Sequence, residues 1–84
     1  MNAVTPVAPT TAALVQAVPA KKIGAAIRRL REAKNITQQD FADMLRINRS
    51  AVAQWETGRT NPTTGRLEQV AQALGVSIST IFTE

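Results

Sequence analysis

Cysteine, histidine and tyrosine are all absent from this 84-residue chain, which carries one tryptophan and two phenylalanines. Without cysteine no disulfide or thiolate metal site can staple the fold, and without histidine there is no imidazole base and no common zinc-ligand cluster. A chain of this length permits one small domain, so stability has to come from a compact core of aliphatic side chains. There is no glycine-rich phosphate loop, and the six carboxylates are scattered without an evident acid–base pair. These absences argue against an enzyme and leave no candidate cofactor or metal site. No run is long and apolar enough to span a bilayer, and the N-terminus lacks the positive region of a secretory signal. The protein is therefore expected in the cytoplasm, with no membrane partner.

Charge is also missing from one stretch. The net charge is +4, yet residues 1–20 hold no charged side chain, whereas residues 21–34 hold Lys21, Lys22, Arg28, Arg29, Arg31 and Lys34 against Glu32 alone. Prolines at 6, 9 and 19 interrupt the uncharged stretch, which reads as a flexible tail with a short helical turn around Thr11 to Ala17 as its one ordered piece. An isolated turn of that length is marginal in water. An arm wrapping DNA would need the positive charge that this tail lacks. The basic run can be a solvated helix face or a phosphate contact, and it makes nucleic acid a more plausible partner than an acidic protein.

From Lys21 onward the apolar spacing is helical. Ile23, Ala26, Ile27 and Leu30 share one face, predicting a helix that runs to about Lys34 and closes on Asn35 in a left-handed cap, with Ile36 dropping into the core. A second helix is predicted over Gln38 to Leu45 with Phe41, Ala42 and Leu45 inward, and a third over about Arg49 to Thr57. Thr37 with Asp40 reads as a capping box, Asn48 as an N-cap, and Gly58 as a stop. A fourth helix opens after Thr63 or Thr64, buries Leu67, Val70, Ala71 and Leu74, and ends at Gly75; Ser77 caps a last short helix with Ile78, Ile81 and Phe82. The fold class is all-α, five helices with short connections.

The segment 38–57 is the most informative stretch. Two short helices crossed over a tight turn need a small residue at the crossing, which Ala42 supplies, and apolar contacts beneath, which Ile47, Val52 and Trp55 supply. That arrangement presents a helix to the DNA major groove. With Val52 and Trp55 committed inward, the residues left to face bases are Asn48, Arg49, Ser50, Ala53 and Gln54. Arg49 can pair twice with guanine, Gln54 twice with adenine, Ser50 can bond base or phosphate, and Ala53 can touch a thymine methyl.

The run from Ile23 to Phe82 resembles the phage-repressor and Cro family of helix-turn-helix domains, also called Xre-like. The resemblance rests on Gln38, Ala42, Ile47, Val52, Trp55-Glu56, Gly58 and Pro62, with Ala71-Gln72-Ala73-Leu74-Gly75-Val76-Ser77 further on. It implies a compact five-helix lambda-repressor-like domain over residues 21–84, and phosphate contacts from Gln38, Arg59, Thr60 and Asn61. It also implies that Arg31 pairs with Glu56, which would neutralise a carboxylate near the DNA side. One position departs from the pattern: the family commonly has glycine in the turn, and Arg46 stands there, which costs on the order of 1 kcal/mol if φ is positive.

Two functions fit. The first is a sequence-specific DNA-binding regulator, a repressor acting as a homodimer on a palindromic operator, with Ile78, Ile81 and Phe82 near the dimer surface. The second is a protein-binding module, such as an antitoxin, whose tail residues Val4, Val7, Leu14, Val15 and Val18 fold on a protein partner.

Overall fold

In the computed structural model, residues 10–84 are described. They form six helices: α1 Thr11–Ala17, α2 Ala20–Ala33, α3 Gln38–Leu45, α4 Arg49–Glu56, α5 Thr64–Leu74 and α6 Ile78–Thr83. The five predicted helices are all there, and α1 is the helical turn expected at the same residues. Thr10 Oγ1 caps it by accepting from Ala13 N at 3.1 Å. Seven residues cannot hold a helix alone in water. What holds this one is Leu14, Val15 and Val18, which pack against the core where α1 lies on α5. The readings that fall on residues 1–9, a flexible tail, a DNA-wrapping arm and partner contacts through Val4 and Val7, lie outside the described residues.

Local signals set most helix ends. Thr37 Oγ1 accepts from Asp40 N at 3.0 Å, Asn48 Oδ1 from Ala51 N at 3.0 Å, and Thr63 Oγ1 from Arg66 N at 3.2 Å, each satisfying one of the free amides of a helix start. Ser77 occupies the N-cap position of α6 without capping it, because its hydroxyl is bonded to those of Ser79 and Thr80. Asn35, Gly58 and Gly75 take positive φ as the sequence suggested. So does Arg46, at φ 57° and ψ 45°, in the turn between α3 and α4. Arg46→Gly is accordingly expected to raise stability by about 0.5–1 kcal/mol, the strain relieved outweighing the added freedom of the unfolded chain. Chemical denaturation measures the difference directly.

The core is built from Ile23, Ile27, Phe41, Val52, Leu67, Val70, Leu74 and Ile81, all essentially without solvent contact. Ala42 is likewise fully buried, as its place in the crossing of the motif helices requires. A second close approach was not legible in the sequence. Gly24 sits where α2 crosses the end of α4, and a Cβ there would lie 1.9 Å from the carbonyl oxygen of Trp55. Only a residue without a side chain lets the two backbones approach so closely. Gly58 has a related role just beyond the end of α4, with φ +75° and the backbone of Lys21 against it.

Two of the three residues expected near the dimer surface lie inward. Ile81 and Phe82 are buried in the chain's own core, because α6 closes the bundle against α2 and α5. Of the three, only Ile78 remains partly exposed.

Candidate nucleic-acid interface

The crossing of α3 and α4 sorts the residues of α4 into two faces. Val52 and Trp55 point inward, Arg49 and Ser50 are exposed, and Ala53 and Gln54 are half-exposed beside them. Asn48 stands exposed at the start of the helix. The five residues expected to face bases thus lie on one side of α4, from its N-cap Asn48 to Gln54 in its last turn. Their bonding capacity differs from the sequence reading. Asn48 Oδ1 is occupied by the Ala51 amide and by Ser50 Oγ, each at 3.0 Å, so the amide nitrogen of Asn48 is what it has left to offer.

Beneath this face lies a polar chain that fixes α2, α3 and α4 to one another. Arg31 donates from Nε to Glu56 Oε2 at 2.6 Å and from Nη2 to Glu56 Oε1 at 2.9 Å, a bidentate pair with both side chains almost wholly buried. Arg31 Nη1 also donates to the carbonyl of Ile36 at 2.6 Å. The hydrogen bond to Glu56 holds the guanidinium pKa above its ordinary value, against the opposing effect of burial. The pairing implied by the family resemblance is therefore present, and it leaves no buried side-chain nitrogen or oxygen without a partner among the described residues.

Gln38 extends the chain to the surface. Its Nε2 donates to Glu56 Oε1 at 3.0 Å, and its Oε1 accepts from Arg49 Nε at 3.4 Å, a long and therefore weak bond. The sequence reading had Gln38 as a phosphate contact only. Its bridging position was missed, because nothing in the local sequence says that a residue of α3 meets a carboxylate eighteen residues on. Thr37, Gln38, Gln39, Arg31 and Arg49 line one open depression of about 530 Å³ at the start of α3. The first amides of α3 have no intrahelical partner, the helix dipole is positive there, and Arg49 adds a charge that pairs with no carboxylate among the described residues. Such a depression can take a phosphate oxygen.

Arg59, Thr60 and Asn61 are exposed in the loop after α4. The amides of Arg59 and Thr60 donate to the carbonyl of Gln54 at 2.9 and 3.3 Å, which ties this loop to the last turn of α4. The basic run of α2 divides: Arg31 goes inward, Arg28 pairs with Glu32 at 3.3 Å, and Arg29 approaches Glu84 at 3.8 Å. These two exposed pairs contribute little to stability. Among the described residues no group of three histidine, cysteine or carboxylate side chains could hold a metal ion, and no helix is long and apolar enough to cross a membrane.

Residues 27–81 match a family model described as helix-turn-helix. The chain is 37% identical over 62 residues to the immunity repressor protein of Bacillus phage phi105, a match covering 74% of this chain and 43% of that protein. It is 30% identical over 56 residues to the transcriptional activator BcrR of Enterococcus faecalis, covering 67% of this chain and 28% of that protein. The chain thus spans less than half the length of either relative. Among solved structures, the clp gene regulator ClgR of Corynebacterium glutamicum superimposes with a TM-score of 0.75 at 27% identity, covering 79% of this chain and 70% of that one.

Proposed function

Since this chain belongs to the helix-turn-helix family, whose named relatives are transcription regulators and not enzymes, we propose that it is a repressor that binds a palindromic operator as a homodimer, in the cytoplasm. The observation that carries this reading is the two-faced α4: Val52 and Trp55 are buried while Arg49, Ser50, Ala53 and Gln54 stand together on the open side. In the major groove Arg49 pairs with guanine and Gln54 with adenine, Ala53 meets a thymine methyl, and Asn48 and Ser50 supply the remaining polar contacts. Gln38, at the start of α3, and Arg59, Thr60 and Asn61, after α4, hold phosphates on either side and set the register.

Doubling the reader across a two-fold axis places half-sites about one helical turn, or 34 Å, apart. Repression needs no more than occupancy of such a site. Ile78 is what remains of the expected apolar dimer surface. The alternative, an antitoxin or other protein-binding module working through its N-terminal tail, loses support from the placement of Leu14, Val15 and Val18. They pack, partly buried, against the chain's own core.

Affinity measured as a function of salt tests the phosphate contacts. Arg59→Ala should weaken binding to all sequences alike and reduce the slope of log K against log salt by about 1. An unchanged slope would remove Arg59 from the interface. Stoichiometry by analytical ultracentrifugation on a defined operator should give two chains per duplex; one chain per duplex contradicts the homodimer.

A further inference from the structure

The bonds already made on the open face of α4 narrow what it can read. Ser50 Oγ and Asn48 Oδ1 bond each other, and Asn48 Oδ1 also caps the helix. Arg49 Nε faces Gln38 Oε1. The donors that Arg49 keeps for a ligand are Nη1 and Nη2, side by side in one plane. Two parallel donors match the two acceptors O6 and N7 of guanine, whereas adenine places a donor at one of those positions and cytosine presents only a donor.

Ala53 follows Arg49 by one helical turn, so the two side chains are neighbours. With Ser50 they line an open depression of about 270 Å³, its walls largely apolar. A mostly apolar depression lined by Ala53, Ser50 and the Arg49 side chain suits an apolar group at the edge of a base. The major groove displays one such group, the methyl on C5 of thymine, and 5-methylcytosine carries the same group at the same place. A guanidinium paired with guanine lies in the plane of that base beyond N7. The C5 methyl of the pyrimidine on the 5′ side then stacks over its face, one base step or about 3.4 Å away. The depression that Arg49 shares with Ala53 is where such a methyl can enter.

Resting on the assignment of α4 as the DNA-reading helix, we propose that this face recognises a 5-methylpyrimidine–guanine step. Arg49 takes the guanine, and the depression beside Ala53 takes the C5 methyl. The same surface makes the protein sensitive to cytosine methylation, because a methylated CpG presents the same C5 methyl and guanine edge as a TpG.

The test begins with a site selected from random-sequence DNA by the full chain, followed by nucleotide replacements that leave the protein untouched. Each half-site is expected to contain a TpG. Deoxyuridine in place of its thymine removes only the methyl and should weaken binding about three- to five-fold, the factor that corresponds to about 0.8 kcal/mol for one buried methyl. With cytosine at that position, C5 methylation should strengthen binding by the same factor. In Ala53→Gly the distinction between thymine and uracil should shrink while the requirement for guanine persists. Equal affinity for thymine and uracil at the step, or a selected half-site with no pyrimidine–guanine step, overturns the proposal while leaving α4 a DNA reader. A chain that selects no sequence at all removes the assignment of α4 itself.

Discussion

Gly24→Ala is expected to destabilise the protein by about 3 kcal/mol or more, a large share of the roughly 5 kcal/mol available to a small domain. Helix propensity alone predicts the opposite sign, since alanine is favoured over glycine in a helix interior by about 1 kcal/mol. The close crossing of α2 over the end of α4 decides the matter. A Cβ at Gly24 would stand 1.9 Å from Trp55 O and 2.9 Å from Trp55 C. Those are backbone atoms held by α4, so no side-chain rotation can relieve the contact and the helices have to separate. Gly65 is the control, because it is also helical and a Cβ there meets nothing within 4 Å. Gly65→Ala should therefore be stabilising by about 0.5–1 kcal/mol. Urea denaturation of the two variants checks both signs; a Gly24→Ala protein as stable as the parent would show that α2 and α4 do not approach as described.

The second large effect belongs to the Arg31–Glu56 pair. Arg31→Ala leaves Glu56 buried with Gln38 as its remaining side-chain partner, and is expected to cost about 3–5 kcal/mol. Replacing both members by apolar residues of similar size, Arg31→Met with Glu56→Leu, should recover most of that loss, because the desolvation of two charges is removed together with their attraction. Stability and function should then separate. The double variant is expected to fold yet to bind its operator more weakly, since Gln38 loses the carboxylate that orients its amide. A double variant as unstable as Arg31→Ala would mean that the pair contributes far more than it costs. The raised pKa of Arg31 fixes the sign of its pH dependence. A base whose pKa rises on folding contributes stability below its unfolded value and loses it as pH climbs through the folded value. Both values are strongly alkaline, so Arg31 itself should add no pH dependence to stability between roughly pH 6 and 10.

What could be read from the sequence was what local rules govern. The helices α2 to α6 follow from apolar spacing, and the side chains of Thr37, Asn48 and Thr63, with Gly75 at the end of α5, mark boundaries by bonds or angles confined to a few residues. The open face of α4 followed from the same spacing once Val52 and Trp55 were assigned inward. The remaining features depend on contacts between distant segments. Thr11 to Ala17 could be suspected of helix formation, but the surface of α5 that stabilises it is about fifty residues away in sequence. Gly24 looks like a weak point in a helix until the backbone of α4 is placed beside it. Ile81 and Phe82 show the spacing of a buried stripe, and spacing does not distinguish the chain's own core from a partner's. Arg31 with Glu56 came from family resemblance, whereas the bridge that Gln38 makes from that pair to Arg49 has no signature in the sequence.

The central claim is that the open face of α4 reads bases. Selection from random-sequence DNA at near-physiological salt, followed by footprinting, tests it when run in parallel on the parent chain and on a variant with both Arg49→Ala and Gln54→Ala. The account predicts that the parent enriches an inverted repeat and protects it, and that the variant folds as stably yet enriches nothing. Enrichment of the same repeat by both proteins, or by neither, would contradict it.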